Sequence, residues 1–546
     1  MLLSKPQLKL MTIALLIAVV AVYLRLNQLL DQILIDDEWH AVHALIRLGY
    51  SEIFLSFGHA DHSIPLTLLF KLMAESIGLS EFRMRLLPLM AGITTVVAIP
   101  YLLKPWLKTH ELLLLSALLA VSPVLIHFSR YARPYALTIL LTFAAVIALW
   151  HWWHEKDRSW LFLFMPSTVL AAWLHPLTLL FTGGGLLWFG LVALKRAFHR
   201  RETAGLVRIA IVGLMTMALV SVFVLPPLLA DPASMASKTG VHKLEWKTIV
   251  WAWELSVGTA NLAMASLMFG FGVIGAIEFF KRDRHFFGYW LFMFLLASMA
   301  IVILSPAWVH HALVPVRYLS PILPLVLGLI AIGFVISIRS LGHFVSSQLI
   351  SHVSAIASAI WLSVLVLSGP LIETFGLRNQ FSAAQRYHFD YDFAENLYVT
   401  ELENIELPSI YDQMAQEPGE WWLIEAPWNF ASHSTPLVGF QRKHQMPLQI
   451  GMMTGLCNDW SVGELPYQSQ GDNWVFRNLV HLADLPEAQN QKNRFVVLNR
   501  QSVYESIPLP ESIEGCIDEL SQTLGPAWHE DDYRVVYRLP KDFPAP

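Results

Sequence analysis

Residues 11–30 have the sequence MTIALLIAVVAVYLRLNQLL, and residues 31–63 continue it with DQILIDDEWHAVHALIRLGYSEIFLSFGHADHS. The first stretch is an apolar run of roughly the 20 residues that cross a bilayer. It follows Lys5 and Lys9 but lacks the small-residue cleavage site of a signal peptide, so we interpret it as a retained membrane span. The second stretch is polar and acidic, and it predicts an aqueous loop directly after that span.

The whole chain has the composition of a polytopic α-helical membrane protein. Of its 546 residues, 55% are hydrophobic and 14% are charged, and its mean hydropathy is +0.49. Apolar runs of span length recur, which excludes an ordinary soluble enzyme. The sequence shows no basic stripe of the kind that binds nucleic acid, so we expect membrane lipids and no nucleic acid as partners. We predict about eleven spans, over residues 11–29, 86–103, 111–128, 134–153, 160–174, 176–194, 207–229, 256–280, 286–305, 319–338 and 349–371.

Lysine and arginine residues decide the orientation of these spans. Residues 64–79 are apolar as well, but this stretch is short and contains Lys71 and Glu75. If it lies on the membrane surface as an interfacial helix, four basic loops all face the cytoplasm. We therefore expect a multi-pass protein of the cell inner (plasma) membrane, with the acidic loop outside the cytoplasm. The four loops contain Lys104 and Lys108, Lys156 and Arg158, Lys195 to Arg201, and Lys281 to Arg284.

A second domain follows the spans. The composition changes after Pro370, and the remainder contains no spanning run. We predict a transmembrane domain over residues 1–372, with its first loop at 31–82, and a C-terminal extracytoplasmic α/β domain over 373–546. The α/β prediction rests on strand-like runs at 421–426, 494–499 and 533–540 and on helix-like stretches at 482–492 and 511–523.

The chain has two cysteines, Cys457 and Cys516, and both lie in this tail. An oxidising compartment would permit a disulfide between them. Two separate thiols that act as small hydrophobic side chains are the alternative, and the sequence leaves both open.

The acidic loop supplies the candidate catalytic groups. Asp37 and Glu38 begin a helical stretch, EWHAVHALIRLG, and we expect its apolar face to lie along the membrane interface. Asp37 is our candidate base, and we assign Glu38 to positioning. Asp36 is a candidate for substrate binding, with a solvated acid as the alternative. The apolar face consists of Trp39, Val42, Leu45 and Ile46.

The histidines of this loop raise the question of a metal. His40 and His43 lie three residues apart, and His59, Asp61 and His62 follow closely in sequence. Such a set is compatible with a divalent metal. We favour hydrogen-bonded or solvated histidines over a metal site, so we expect no certain cofactor and leave a divalent metal open.

The order of several motifs resembles the GT-C glycosyltransferases of the ArnT and protein-mannosyltransferase (family 39-like) type. The resemblance covers roughly residues 10–340 and implies an inverting transferase. Such an enzyme moves a sugar from a polyprenyl-phosphate carrier to a glycan, lipid or protein acceptor on the extracytoplasmic face. The motifs are Asp37-Glu38, DHSIPL at 61–66, FRMRLLP at 82–88, SRYARPYA at 129–136, and Arg317-Tyr318 with Pro321 and Pro324.

Two departures from that family pattern stand out. The family often has His-Pro-Pro-Leu where this chain has His62-Ser63-Ile64-Pro65-Leu66. Many relatives have an acid where this chain has Arg133.

Displacing a lipid phosphate needs a base for the acceptor proton and cations for the leaving group. Arg133 and Arg317 each stand at the outer start of a span and suit bidentate phosphate contacts, with membrane anchoring as the alternative. The remaining candidates for substrate binding are Asp61, His62, Tyr135 and Tyr318, and the tyrosines alternatively belong to an aromatic belt.

A transporter or flippase of lipid-linked sugars is the alternative function. Transporters commonly place charges near the middle of the membrane, whereas the acids and arginines here lie at one face. We therefore favour a transferase that acts at the membrane surface over a transporter or flippase.

Overall fold

The computed structural model describes residues 5–27, 29, 37–58, 63–77, 79, 81–236, 239–259, 261–341, 347–369, 371, 407–426, 444, 446, 493–500 and 513–541. It divides into two compact units. The first, which we call the membrane unit, comprises Met1–Gln32, Phe54–Leu66 and Glu81–Tyr391. The second unit comprises Ile33–Ile53, Thr67–Ser80 and Asp392–Pro546. The predicted domain boundary at residues 372 and 373 lies outside the described residues.

The chain before the tail is helical. Among the described residues, 3₁₀ turns at Pro176–Thr178 and Ser320–Ile322 stand between helices. The helices are α1 (Lys5–Leu26), α2 (Glu38–Arg47), α3 (Tyr50–Leu55), α4 (Ile64–Ser76), α5 (Glu81–Leu103), α6 (Thr109–Val121), α7 (Pro123–Ser129), α8 (Tyr135–Glu155), α9 (Ser159–Leu174), α10 (Leu179–Arg200), α11 (Ala204–Ala230), α12 (Pro232–Ala236), α13 (Trp246–Val257), α14 (Leu262–Arg282), α15 (Arg284–Leu304), α16 (Leu313–Leu319), α17 (Leu323–Leu341) and α18 (Ser347–Leu367).

These helices confirm a polytopic α-helical membrane protein. Within the described residues, seven helices are long and apolar enough to span a membrane, and α6 with α7, bent by 59°, makes an eighth. Each of the eleven predicted spans coincides with one of these helices or with a shorter apolar one. In the three shorter cases the spanning role stays a prediction, and these helices cover Leu10–Leu26, Ser159–Leu174 and Ile356–Leu367.

The helices predicted at the membrane surface form, but one of them packs differently than expected. Helix α4 has 13 residues, about 20 Å, and is shorter than the roughly 30 Å hydrocarbon core. On α2, Val42 and Leu45 are only 4% and 3% exposed. This part of the apolar face therefore packs against protein, and the prediction that it lies along the membrane interface is wrong for these two residues.

Polar contacts join α2, α3 and α4 within the second unit. Lys71 Nζ donates to the Leu45 carbonyl at 3.0 Å, and Tyr50 Oη donates to Glu75 Oε2 at 2.6 Å. Lys71 and Glu75, which made a crossing of residues 64–79 unfavourable, thus have partners on neighbouring helices.

The basic loops meet at one end of the membrane unit. Arg282 at the end of α14 donates from Nη1 and Nη2 to the two carboxylate oxygens of Glu111 on α6, each at 2.7 Å. Glu111 is fully buried, so this bidentate pair offsets the cost of burying its charge. Trp106 Nε1 donates to Asp283 at 3.1 Å beside it. Two of the four loops expected in the cytoplasm therefore lie together.

Glycines allow close contact between membrane helices. A Cβ atom added to Gly275 on α14 or to Gly333 on α17 would lie 1.8 Å from a backbone oxygen of the other helix. Only glycine fits such a crossing. In α10, a Cβ on Gly185 would lie 2.7 Å from Tyr289 Oη of α15. The run of three glycines in α10 includes this helix-packing position.

The described tail residues form the small α/β arrangement that the sequence predicts. Three predicted strands and the helix near 511–523 are confirmed, whereas β3 and α19 were not predicted, and residues 482–492 and Cys457 lie outside the described residues. The sheet order is β1-β2-β4-β3, with β1 parallel to β2 and the other pairs antiparallel. The elements are α19 (Ser409–Gln416), β1 (Trp421–Ala426), β2 (Asn493–Asn499), α20 (Ile513–Leu524), β3 (His529–Glu530) and β4 (Arg534–Leu539).

Arg25 on α1 is fully buried and binds the bend between α6 and α7. Its guanidinium donates to the carbonyls of Leu119 and Ala120 and to Ser129 Oγ, each at 3.1 Å. Pro123 has no N–H, so the Leu119 carbonyl lacks its usual helical donor, and Ala120 lies in the last turn of α6. Arg25 thus supplies hydrogen-bond donors to carbonyls that lose their helical N–H partners at the bend.

We expect Arg25→Leu to destabilise the membrane unit by about 2–4 kcal/mol, because it leaves buried carbonyls without donors. Arg25→Lys should lose less, since an ammonium still donates. The thermal unfolding midpoint in detergent measures the effect. Tyr23→Leu, on the same helix with a side chain that is 61% exposed, is the control. Equal midpoints for Arg25→Leu and Tyr23→Leu would contradict the role of Arg25.

Candidate functional site

A cavity of about 140 Å³ lies in the membrane unit at the end remote from Arg282. Leu304 lines it, and α15 separates Leu304 from Arg284 by about 30 Å of helix. The carboxyl ends of α9 and α15 and the start of α8 meet at this cavity. Its polar and aromatic lining includes Ser63, Arg133, Tyr135, Trp173, His175, Thr239, Arg317 and Tyr318.

Arg133 and Tyr135 come from the turn that joins α7 to α8. The Arg133 N–H donates to the Tyr131 carbonyl at 2.7 Å, which closes a tight turn. Pro134 follows and has φ −74°, a value that suits the helix that begins directly after it at Tyr135. The turn therefore fixes both side chains at the N-terminal end of α8.

His175 stands between α9 and the following 3₁₀ turn. Its N–H donates to the Ala171 carbonyl at 2.9 Å, and its own carbonyl accepts from the Thr178 N–H at 3.0 Å and the Thr178 hydroxyl at 2.9 Å. The backbone is extended at φ −159°, as expected for a residue before proline. Hydrogen bonds on both sides thus hold the residue whose side chain lines the cavity.

Arg317 and Tyr318 lie on α16. This short helix leads through the second 3₁₀ turn into α17, and the Arg317 carbonyl accepts from Ser320 Oγ at 2.9 Å. The Arg317 guanidinium carbon lies 4.9 Å from the centre of the Tyr135 ring, and that of Arg133 lies 6.0 Å from it. Two cations thus contact one aromatic ring, a favourable cation–π arrangement.

The His175 ring lies near the rings of two tyrosines. Its centre is 6.3 Å from that of Tyr135 and 5.7 Å from that of Tyr318. Burial, together with the charges of Arg317 and Arg133, lowers the pKa of His175 from 6.5 to about 4. At neutral pH the imidazole is therefore uncharged and offers one donor and one acceptor nitrogen.

The structure brings together four of the predicted site residues: Arg133, Tyr135, Arg317 and Tyr318. Their roles as ligands stay predictions. Sequence reasoning did not select His175 as a site residue. The signal that could have found it is a histidine followed by proline at the end of an apolar run.

The first loop also reaches the cavity. Ser63, its last residue, lines the cavity and donates from Oγ to the Leu174 carbonyl at 3.2 Å. Asp36, Asp61 and His62 lie outside the described residues, as does His59, so their placement stays a prediction.

The two candidate catalytic acids lie at the start of α2, in the second unit. Asp37 is partly exposed, and its Oδ1 lies 3.5 Å from Nε2 of His40. Glu38 is fully buried, so it is not a merely solvated acid. Among the described residues, no three histidine, cysteine or acidic side chains lie close enough to hold a metal ion. A divalent metal stays an open prediction.

The depressed pKa of His175 predicts how stability depends on pH. Between pH 6.5 and 4 the unfolded chain binds more protons at this residue than the folded chain, so its contribution to stability is complete above pH 6.5 and is lost as the pH falls toward 4. His175→Gln removes this titration. We expect the thermal midpoint of the wild type to fall relative to that of the variant between pH 7 and pH 4.5. A constant difference between the two midpoints would contradict the depressed pKa.

Comparison of the sequence with protein-family models and with curated proteins gives no match. Solved structures with similar folds include ArnT from Cupriavidus metallidurans in the apo state, at 13% identity and a TM-score of 0.47 over 98% of this chain and 99% of that one. The structure of that protein bound to undecaprenyl phosphate has 12% identity and a TM-score of 0.45, over 97% and 99% of the two chains.

An archaeal oligosaccharyltransferase, AglB from Archaeoglobus fulgidus in complex with an inhibitory peptide and a dolichol-phosphate, has 11% identity and a TM-score of 0.47. The alignment covers 90% of this chain and 69% of the AglB chain. At these identities, the roles of individual residues in this chain rest on its own geometry.

Proposed function

We propose that the protein is a glycosyltransferase that takes a sugar from a polyprenyl-phosphate carrier and transfers it to a glycan, lipid or protein acceptor. The observation that carries this proposal is the cavity at the ends of the membrane helices, where the guanidinium groups of Arg133 and Arg317 both lie near the Tyr135 ring. Guanidinium groups match the geometry of phosphate oxygens. A site at the helix ends also suits a ligand with a polar head and a lipid tail. The motif order in the sequence supports the same function.

The proposed reaction is a displacement at the anomeric carbon of the carrier-bound sugar. The acceptor hydroxyl attacks from the side opposite the phosphate, its proton passes to Asp37, and the bond between the anomeric carbon and the phosphate oxygen breaks. The configuration of the sugar inverts. The phosphate leaves with one more negative charge, and Arg133 and Arg317 stabilise that charge as it develops.

The location of Asp37 supports its role as base. It precedes α2 and has His40 beside it, so its carboxylate is positioned at a helix start. Glu38, the neighbouring acid, is buried and has the role of positioning the loop. We propose that the cavity faces the extracytoplasmic side, because the basic loops at the other end of the membrane unit then face the cytoplasm.

The activity is tested in a strain from which the protein has been deleted. Mass spectrometry of lipid extracts should show an accumulating sugar-linked carrier lipid, which the wild-type protein removes. Asp37→Asn should insert normally and leave the lipid at the level of the deletion strain, because an amide does not accept the acceptor proton. Glu38→Gln should be milder. Full restoration by Asp37→Asn would exclude Asp37 as the base, and an unchanged lipid profile in the deletion strain would contradict the transferase itself.

Arg317 is tested by binding of undecaprenyl phosphate to the purified protein. Arg317→Ala should weaken binding by at least tenfold, since a charge-assisted hydrogen bond contributes about 1.5–3 kcal/mol. Arg317→Lys should recover part of it, because an ammonium lacks the planar fork. Arg284→Ala, at the exposed start of α15, is the matched control. Equal affinities for Arg317→Ala and the control would reduce Arg317 to a membrane anchor.

A further inference from the structure

We propose that the membrane unit binds one anionic phospholipid at the end remote from the cavity, between α8, α10 and α11. Arg196 and Arg208 hold the lipid phosphate there. The ligand class is a glycerophospholipid with a net negative charge, taken from the leaflet at that end of the unit. This site is separate from the cavity and does not depend on the function proposed above.

The first support is an aromatic surface that both arginines share. The guanidinium carbon of Arg208 lies 5.5 Å from the centre of the Trp153 ring, and that of Arg196 lies 5.9 Å from it. The Arg208 carbon is also 5.6 Å from the centre of the Trp152 ring. Trp153 is only 5% exposed, so its ring is a fixed part of the bundle. Cation–π contacts with this ring bring the two charges of α10 and α11 together.

The second support is the level of the two arginines in the membrane. Arg196 lies four residues before the end of α10 at Arg200, and Arg208 lies four residues after the start of α11 at Ala204. Four residues of α-helix span about 6 Å, so both arginines stand at one level just inside the helix ends. Long cationic side chains at such a level reach the lipid headgroups.

This level lies at the end of the unit that carries the basic loops. Helix α8 begins at Tyr135, which lines the cavity, and reaches Trp153 after about 27 Å of helix. The ring of His151, two residues before Trp153, lies 5.6 Å from that of Trp106. The Trp106 carbonyl accepts from Arg282 Nη1 at 3.2 Å. The lipid therefore comes from the leaflet opposite the cavity.

The third support is that these cations lack a protein anion. Within the part of the chain that the structure describes, neither arginine forms an ion pair, and Arg208 Nε is shielded from solvent without a hydrogen-bond partner. Two acids that follow Trp153 have other partners: Glu155 accepts from Trp160, and Asp157 accepts from Ser159. A shielded charged donor without an acceptor is costly, so an anion at this place stabilises the arrangement.

The surface beside the arginines suits a lipid better than a free phosphate. An exposed apolar stripe on each helix runs from the level of the arginines toward the middle of the membrane. The stripes consist of Leu187, Leu191 and Leu194 on α10 and Val207, Ile211 and Leu214 on α11. Acyl chains can lie along both stripes while the guanidiniums bind the phosphate oxygens.

The net charge of the headgroup follows from the same arrangement. A zwitterionic phospholipid adds an ammonium group beside two guanidiniums, and like charges repel. Basic pockets between membrane helices bind anionic headgroups for this reason. We therefore assign the site to an anionic phospholipid.

The test is native mass spectrometry of the whole chain, purified in detergent and freed of bound lipid. The probes are dioleoyl phosphatidylglycerol, which is anionic, and dioleoyl phosphatidylcholine, which is zwitterionic and has the same acyl chains. An excess of inorganic phosphate is added as a competitor. The apparent dissociation constant of the first bound lipid is measured for wild type, Arg208→Gln and Arg200→Gln. Arg200 is the matched control, since it is exposed at the end of α10 and its replacement removes the same charge.

We expect the wild type to bind phosphatidylglycerol about fivefold or more tightly than phosphatidylcholine. Arg208→Gln should weaken phosphatidylglycerol binding by about tenfold or more, because a charge-assisted hydrogen bond is lost. Arg200→Gln should weaken it by about fivefold at most, the effect of one charge near the membrane surface. Equal losses in the two variants, or equal affinities of the wild type for the two lipids, would overturn the proposal. Displacement of the lipid by inorganic phosphate would identify a site for free phosphate and also overturn it.

Arg196→Gln decides the matter if Arg208→Gln does not fold, because the Arg196 side chain is exposed and its replacement leaves the core intact. Its affinity for phosphatidylglycerol should fall below that of Arg200→Gln, and equal affinities of these two variants would contradict the site. Lipid binding is measured here without any transfer reaction, so failure of the proposed transferase function leaves this test unchanged.

Discussion

The contact between Arg25 and the bend of α6 and α7 is the interaction on which the candidate site depends. A buried guanidinium is costly unless its donors are used, and here it binds carbonyls of the last turn of α6. Ser129 accepts a further bond from Arg25 and lies against Gly92 of α5, where an added Cβ would come within 1.8 Å of its hydroxyl. Helices α1, α5, α6 and α7 therefore meet at one point. The turn that carries Arg133 starts directly after Ser129.

The residues that line the cavity have stiff backbones. Arg133 and His175 each precede a proline, and both turns are closed by short hydrogen bonds. A residue before proline has a restricted backbone, so its side chain is directed by the local chain as well as by packing. A cavity built from such turns keeps its charged groups in place without a ligand, which lowers the cost of binding one.

Much of the architecture followed from the sequence because apolar length and basic loops are strong signals. The predicted topology also placed Arg133 and Arg317 on one face of the membrane. Each stands at the end of a span, and the order of the spans puts both ends on the same side. The face of α2 was misassigned because Val42 and Leu45 give the same pattern whether protein or lipid covers them. Arg25 was missed because its partners are backbone carbonyls 94 and 95 residues away, which no local pattern indicates. The pKa of His175 depends first on burial and then on arginines that are likewise distant in sequence.

The glycine crossing of α14 and α17 has a consequence for how a long lipid reaches the cavity. With backbone against backbone at Gly275 and Gly333, no gap exists there for a prenyl chain. The Glu111–Arg282 pair ties α6 to α14, and α6 also packs against α17. These three helices thus form a closed wall. If the proposed function holds, a carrier lipid that enters sideways from the bilayer has to enter on another side of the bundle.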